Sequence, residues 1–216
     1  MSGGTPALRL WGRLSSVNVQ KVAWTLGELQ LPHQRIDVGG RFGGVDTPAF
    51  LAMNPMAQVP VLQDGDFVLW ESNAIVRYLC ASYAHGTLYP APLHARADAD
   101  RWMDWQTTEL SRAMGPAFMQ LVRTPAERRD RGAIDASLAR TEPLLAILDA
   151  QLADRAYVCA DRITMADLVL GCAAHRWFGL PLEQGLMRQP RPAVERWYRQ
   201  LRARPAAQSV LTLPLQ

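Results

Sequence analysis

Two polar segments, each at the start of a helical pattern, carry residue types that could do chemistry. Ser15, Ser16 and Asn18 stand where the first helix would begin, and hydroxyl and amide groups there can donate hydrogen bonds to an anion. Glu71 and Ser72 open a later helical pattern. The carboxylate can accept from a cation, and the serine can donate to an anion, which the helix N-terminus also favours.

A third polar segment, residues 54–60, reads N-P-M-A-Q-V-P and ends in Val59 and Pro60. Proline has no N–H to donate. A cis bond before Pro60 would turn the backbone of Val59 outward, where its N–H and C=O could pair with an extended peptide like an added β-strand. A trans bond would aim the Val59 backbone away from such a ligand, so for a peptide-binding segment we predict a cis bond between Val59 and Pro60.

The elements that must position these segments follow from the apolar pattern. The first half alternates short apolar runs with helical spacing, in the order βαβ-(α)-ββα, and Asp64-Gly65 is a strong hairpin signal. Predicted strands cover residues 8–11, 34–38, 59–62 and 67–70, and predicted helices cover 19–26 and 71–79. This half is expected to form a small mixed sheet with helices.

The second half has helical spacing and no convincing strand. Thr124–Glu127, with Pro125 at the first helical position, and Thr164–Asp167 both have the pattern of a helix capping box. We expect one domain over residues 1–85, a Gly- and Pro-containing linker over 86–93, and an all-helical domain over 94–216.

Composition excludes several classes of function. Of the 216 residues, 49% are hydrophobic and 20% are charged, as in an ordinary globular protein. A net charge of +3 gives little reason to expect nucleic acid binding, and no apolar run is long enough to span a membrane. The first residues show no export signal, and the three cysteines lack C-x-x-C spacing, so we expect a cytoplasmic protein without a metal site.

The order and spacing of three motifs resemble the soluble glutathione S-transferase family, in its bacterial Ser/Asn-type branch. They are N-P-x-x-x-V-P at 54–60, E-S-N-A-I at 71–75 and T-x-A-D at 164–167, and the resemblance covers almost the whole chain. It implies a thioredoxin-like N-terminal domain that binds glutathione and an all-helical C-terminal domain that shapes the electrophile pocket. It also implies a homodimer, for which we expect an interface on the third and fourth helices, and glutathione as co-substrate with no permanently bound cofactor.

The resemblance implies a role for each motif in binding glutathione. Val59 beside Pro60 would pair with the cysteinyl backbone, Glu71 would accept the γ-glutamyl ammonium, and Ser72 would donate to the γ-glutamyl carboxylate. Two further candidates are Gln58 and Arg41, for the glycyl carboxylate. A third is Asp104, which matches a helix position that reaches glutathione across the dimer in related bacterial transferases. Arg41 and Asp104 could instead be ordinary surface charges.

The sulfur of glutathione would then lie near the start of the first helix. A donor there can lower the thiol pKa, about 8.5 when free, so that thiolate prevails at neutral pH. The family pattern places Ser16 and Asn18 at the two donor positions, and Ser15 lies a one-residue shift away. Ser16 could alternatively be an ordinary N-cap.

Candidates for the electrophile pocket are spread over the helical domain. They are Ser111, Met114, Trp177 and Phe178, although aromatic and Met side chains at helical spacing are often core residues. The predicted activity is conjugation of glutathione to small hydrophobic electrophiles. Alternatives are a glutathione-dependent disulfide or peroxide reductase, a maleylacetoacetate isomerase, weakened by the absence of an S-S-C-x-W entry, and a non-catalytic binding module.

Overall fold

The computed structural model describes residues 8–159, 161–182 and 185–216, so residues 1–7 of the predicted first domain lie outside the described residues. The strands are β1 (Leu8–Trp11), β2 (His33–Ile36), β3 (Val61–Asp64) and β4 (Phe67–Trp70). The helices are α1 (Val17–Glu28), α2 (Pro48–Met53), α3 (Ser72–Tyr83), α4 (Leu93–Trp105), α5 (Ser111–Phe118), α6 (Arg131–Leu152), α7 (Met165–Gly179), α8 (Pro192–Arg202) and α9 (Pro205–Leu211).

The first half forms a four-stranded mixed sheet in the order β2-β1-β3-β4. β1 and β2 are parallel because α1 connects them, and β3 and β4 form an antiparallel hairpin around Gly65, whose φ is +58°. β3 begins at Val61 rather than at Val59 as predicted, because Pro60 has no N–H for the strand ladder. The predicted order of elements and the thioredoxin-like fold are confirmed.

Helix α1 is covered on two sides. Val19, Val22 and Leu26 are fully buried, as their spacing predicts. The helix also contacts α7 and α9 of the helical half, so the polar residues Lys21 and Thr25 are buried as well. Polar groups in this position need internal partners, and the hydroxyl of Thr25 donates to the carbonyl of Lys21 at 2.8 Å.

Among the described residues after α3, only helices and turns follow, apart from an isolated bridge between His85 and Tyr89. Leu93, assigned to the linker from sequence, is already the first residue of α4. Two π-helical turns, Gln106–Leu110 and Met119–Arg123, connect α4 to α5 and end α5. No described helix has the length and apolar character to cross a membrane.

The two predicted capping boxes have opposite outcomes. Thr164 and Asp167 form one at the start of α7, as predicted. The predicted helix start at Thr124–Glu127 is wrong: only a 3₁₀ turn follows, and α6 begins at Arg131. Its N-cap is Asp130, whose side chain accepts from the N–H of Ala133 at 3.0 Å.

Candidate active site

A cavity of about 580 Å³ lies between α1, α3, the end of α4 and α7; we call it the main cavity. It brings together six residues that the sequence analysis selected: Ser16, Asn18, Glu71, Ser72, Asp104 and Ser111. The other lining residues are Val17, Lys21, Asn73, Ala74, Arg77, Thr107, Thr108 and Arg176. Residues separated by up to 160 positions in the sequence therefore share one site.

A second cavity of about 20 Å³, the side cavity, is lined by Gln58, Val59 and Pro60 and shares Asn18, Glu71 and Ser72 with the main cavity. The bond between Val59 and Pro60 is cis, as predicted. Among the described residues, no hydrogen bond engages the backbone N–H or C=O of Val59. Both groups are therefore available to a peptide ligand.

The loop before Pro60 is held by one side chain. Asn54 is 2% exposed; its Nδ2 donates to the carbonyl of Gln58 at 2.8 Å, and its Oδ1 accepts from the N–H of Met56 at 3.0 Å. These two bonds reproduce a backbone turn, which an asparagine side chain does readily. They fix the segment that presents Gln58 and Val59.

Ser16 is the N-cap of α1, but its hydroxyl makes no capping hydrogen bond in the described structure. Only its carbonyl acts in the usual way, accepting from the N–H of Gln20 at 2.9 Å. A capping hydroxyl would use its oxygen as an acceptor, and its O–H would remain a donor. Since no hydrogen bond among the described residues engages the Ser16 hydroxyl, both its oxygen and its O–H remain for a ligand. Asn18, one residue into the helix, is exposed and lines both the main and the side cavity.

Glu71 precedes α3 with a φ of +72°, a left-handed conformation that is strained for a residue other than glycine. The next residue, Ser72, is 6% exposed and is the first of the helix. The helix N-terminus and the Ser72 hydroxyl together favour an anion, while the Glu71 carboxylate stands beside them for a cation. A ligand with an ammonium and a carboxylate on one carbon matches this pair.

Ser15 and Arg41 are not part of this site. They line a third cavity, of about 160 Å³, together with Arg13, Arg35 and the C-terminal residues 213, 214 and 216. Since Ser15 lies in a separate cavity from Ser16, the structure gives no support to the one-residue shift considered in the sequence.

Three of the four electrophile-pocket candidates do not line the main cavity. Met114 is 1% and Trp177 is 2% exposed, and both belong to the hydrophobic core. Phe178 is partly buried and stacks on Tyr198 with 5.0 Å between ring centroids. Only Ser111 faces the cavity, where its hydroxyl accepts from Nε2 of Gln106 at 2.5 Å. The apolar side chains pack the core because they lie on the inner faces of α5 and α7.

Comparison with known proteins agrees with this geometry. The family model for the glutathione S-transferase N-terminal domain matches residues 15–82, and that for the C-terminal domain matches residues 131–200. The chain belongs to the glutathione S-transferase family. The match includes every motif residue of the main and side cavities that the first domain supplies.

Several members of the family are similar over nearly the full length. Glutathione S-transferase GstB of Escherichia coli K12 is 44% identical over 210 residues, which are 96% of this chain and 99% of that protein. Glutathione S-transferase 3 of Zea mays is 33% identical over 213 residues, 96% of this chain and 95% of that protein. A theta-class glutathione S-transferase of Xanthomonas axonopodis pv. citri, solved with glutathione bound, superimposes with a TM-score of 0.93 at 45% identity, covering 98% of this chain and 100% of that one.

The main cavity also contains a buried cation, Lys21, that was not predicted from the sequence. Lys21 is 2% exposed, and its Nζ donates to Oε1 of Gln106 at 2.8 Å and to Oδ1 of Asn73 at 3.2 Å. Burial lowers its pKa to about 8. The signal was present, since this is the only lysine of the chain and lies three residues after Asn18, on the same face of α1.

Arg176 on α7 is the second cation that was missed. Its guanidinium lies 4.0 Å from the centroid of the Phe118 ring, and burial lowers its pKa to about 10, with the positive charge of Arg123 acting in the same direction. Asp104, by contrast, is a predicted residue with a partner in its own chain. It accepts from Arg77 at 2.5 Å at the edge of the cavity.

Proposed function

We propose that this transferase activates the thiol of glutathione in the main cavity and conjugates it to a small electrophile. The observation that carries the proposal is that one cavity, which adjoins the Val59 backbone, holds both the Glu71–Ser72 pair and the α1 donors Ser16 and Asn18. Neither donor side chain has a hydrogen-bond partner within the part of the chain that the structure describes. These donors can stabilise a thiolate, and the other groups can hold the rest of the tripeptide. A non-catalytic binding module would not need Ser16 and Asn18 as donors to a thiolate.

Each residue then has a chemical task. Glu71 accepts the γ-glutamyl ammonium, Ser72 donates to the γ-glutamyl carboxylate, and the free N–H and C=O of Val59 pair with the cysteinyl backbone. Ser16 and Asn18 donate to the sulfur, so the thiol proton leaves to solvent before attack. The thiolate forms a carbon–sulfur bond as the leaving group departs with its electron pair. Gln58 beside Val59 is the proposed donor to the glycyl carboxylate.

An assay that measures two products separates the candidate activities. The chain is incubated with glutathione and 1-chloro-2,4-dinitrobenzene, and separately with hydroxyethyl disulfide. We expect the dinitrophenyl thioether of glutathione in the first mixture and little glutathione disulfide in the second. Rapid disulfide reduction without thioether formation would favour the reductase, and binding of glutathione without either product would favour a non-catalytic module.

The remaining assignments are part of the same proposal. We propose a homodimer with α3 and α4 at its interface, a cytoplasmic location, and removal of reactive electrophiles as the biological purpose. The three cysteines are free, and burial raises the pKa of Cys80 and Cys172 to about 12, which suits a reducing compartment. We also propose that the glutathione-binding domain covers residues 1–85, the linker 86–93 and the helical domain 94–216. Light scattering should give twice the mass of one chain, and a monomer would contradict the dimer.

A further inference from the structure

The main cavity carries charged side chains that the proposed function leaves without a task. Apart from Val17 and Ala74, its lining residues carry polar or charged side chains. Small-molecule sites are usually lined mostly by apolar side chains, with a few polar groups that fix orientation. Several of these polar residues are assigned above to glutathione, so the unassigned cations Lys21 and Arg176 are the part of the lining that bears on the electrophile.

Positive charge in the cavity exceeds what its carboxylates can neutralise. The two lining carboxylates are Asp104, which accepts from Arg77 at 2.5 Å, and Glu71, which the proposed function assigns to the ammonium of glutathione. The carboxylates and the thiolate that glutathione brings are assigned above to neutral donors. Within the described residues, Lys21 and Arg176 are then left without an acidic partner. A cavity with two uncompensated cations attracts an anion.

The contacts of Lys21 and Arg176 support this count. Lys21 donates to the neutral amide oxygens of Gln106 and Asn73. Within the described residues, Arg176 has no hydrogen bond or ion pair, and the ring of Phe118 lies 4.0 Å from its guanidinium. The planar guanidinium thus keeps its N–H groups for a ligand, and its geometry suits a carboxylate, which it can bind through two parallel hydrogen bonds.

Burial of Lys21 and Arg176 carries a desolvation cost, because both charges lose contact with water. The pKa of Lys21 falls to about 8 and that of Arg176 to about 10, chiefly because both charges are removed from water. The positive charge of Arg176 lowers the pKa of Lys21 further. Both still carry their proton at neutral pH. Charged groups kept at such a cost in a cleft are a mark of function.

We propose that the electrophile conjugated by this enzyme carries a carboxylate, which Arg176 binds directly while Lys21 adds to the positive potential of the cavity. The inference rests on the proposed function, because it concerns the second substrate of the same site. The carboxylate takes no part in bond making. The glutathione sulfur attacks the electrophilic carbon, the leaving group departs with its electron pair, and the thiol proton goes to solvent.

The test uses two electrophiles that differ in one group. 4-Chloro-3,5-dinitrobenzoate is anionic, its primary amide is neutral, and both lose chloride when the thiolate attacks the same ring carbon. The chain and three variants, Arg176→Gln, Arg176→Lys and Arg140→Gln, are assayed for kcat/KM with each compound, after division by the uncatalysed rate. Arg140 is exposed on α6 and lies outside the main cavity, so its variant controls for the loss of one positive charge. Circular dichroism checks that each variant is folded.

We expect the wild-type chain to prefer the benzoate over the amide. Arg176→Gln should lower kcat/KM for the benzoate by about tenfold or more, the usual effect of losing a hydrogen bond to a charged group, and change the amide value by less than about threefold. Arg176→Lys should recover part of the loss, and Arg140→Gln should behave as wild type. Unreactive 3,5-dinitrobenzoate should inhibit the wild-type chain more strongly than Arg176→Gln.

Three results would overturn the proposal. Equal losses for both electrophiles would assign Arg176 a structural role, and a rise in KM for glutathione with either electrophile would assign it to glutathione. A wild-type chain that conjugates both compounds without preferring the benzoate would contradict the proposal while leaving the proposed function intact. Conjugation of neither compound, nor of 1-chloro-2,4-dinitrobenzene, would contradict the proposed function itself.

Discussion

At the scale of single residues, the site is marked by side chains whose placement does not serve the fold. Glu71 adopts a φ of +72°, and Ser16 sits at an N-cap without using its hydroxyl for capping. A conformation of that kind costs about 1–3 kcal/mol for a residue other than glycine. Both residues line the main cavity, where a bound ligand can use the Glu71 carboxylate and the Ser16 hydroxyl.

Two substitutions at Glu71 separate the cost of its backbone conformation from the contribution of its carboxylate to glutathione binding. Glu71→Gly should raise the free energy of unfolding by about 1 kcal/mol, because glycine adopts a positive φ freely, and should weaken glutathione binding about tenfold or more through loss of the carboxylate. Glu71→Gln, the control, should weaken binding without the gain in stability. Urea unfolding and calorimetric titration with glutathione measure both effects. A Glu71→Gly variant with a lower free energy of unfolding than the wild-type chain would contradict the inferred backbone strain at Glu71.

The donors at the start of α1 can be assigned by the pKa of the bound thiol. Ser16→Ala should raise that pKa by about one to two units, each worth about 1.36 kcal/mol, and lower conjugation at neutral pH about tenfold, because the hydroxyl is free to serve the sulfur. Asn18→Ala shows that effect instead if Asn18 is the main donor. Ser15→Ala is the control and should change neither. If none of the three variants shifts the thiol pKa, the activating group lies elsewhere.

The sequence located the cavity-lining residues of the first half better than those of the helical half. Residues near Val59 and Ser72 occur in short local motifs, so their spacing alone carries the signal. Lys21 and Arg176 are 155 positions apart and line one cavity only because α1 and α7 pack against each other. Met114 and Trp177 show the converse error, since helical spacing cannot distinguish a core face from a cavity face.

At the scale of elements, the close approach of α1 and α7 joins the two halves of the chain. Gly171 on α7 makes it possible: a Cβ there would lie 2.7 Å from Cζ3 of Trp24 and 2.8 Å from Cδ1 of Leu201. Both neighbours are fully buried and have little room to move. The absence of a side chain at Gly171 therefore sets how closely the helical half meets the sheet half.

A methyl group at this position should separate the two helices. Gly171→Ala is expected to destabilise the fold by about 1–3 kcal/mol, as overpacking of a core does, even though alanine is the better helix former. Gly115→Ala is the matched control, since a Cβ there meets nothing within 4 Å. Urea unfolding of both variants measures the effect. Equal or greater stability of the Gly171 variant would show that the contact is loose.

The two capping-box patterns explain where element prediction fails. The box at Thr164–Asp167 forms with tertiary support: the buried carboxylate of Asp167 also accepts from the N–H of Val158 at 3.0 Å and from Nε1 of Trp197 at 2.9 Å. The pattern at Thr124 has no such support, and its hydroxyl donates to the carbonyl of Met119 at 3.0 Å instead. A local pattern settles a helix start only when distant contacts agree with it.

At the scale of the whole molecule, the last segments of the chain hold the two halves together. Arg204, just before α9, donates to Glu28 at the end of α1 through two bonds of 2.7 Å. Within the helical half, His175 on α7 ties the last segment to α7 and α8: it bonds to the hydroxyl of Tyr198 at 2.7 Å and to the carbonyl of Leu213 at 2.8 Å. Burial lowers the pKa of His175, and the charge of Arg202 adds to this effect, while the Leu213 carbonyl opposes it.

This histidine should make the stability depend on pH. Because its folded pKa lies below the unfolded value of about 6.5, the unfolded chain binds the proton more tightly, and stability is lost as pH falls below about 6.5. His175→Gln should flatten the fall in the free energy of unfolding between about pH 7 and pH 5.5. His94→Gln, at an exposed position on α4, should keep the wild-type slope. Equal slopes for all three chains would contradict the assignment.

The central claim is that this cavity lowers the pKa of the glutathione thiol, and an ultraviolet titration of thiolate absorbance in the enzyme–glutathione complex tests it most directly. Free glutathione should titrate near the thiol value of about 8.5, and the bound thiol should titrate at least about one unit lower, because Ser16, Asn18 and the start of α1 stabilise the anion. A bound thiol that titrates at the same pH as free glutathione would contradict the account.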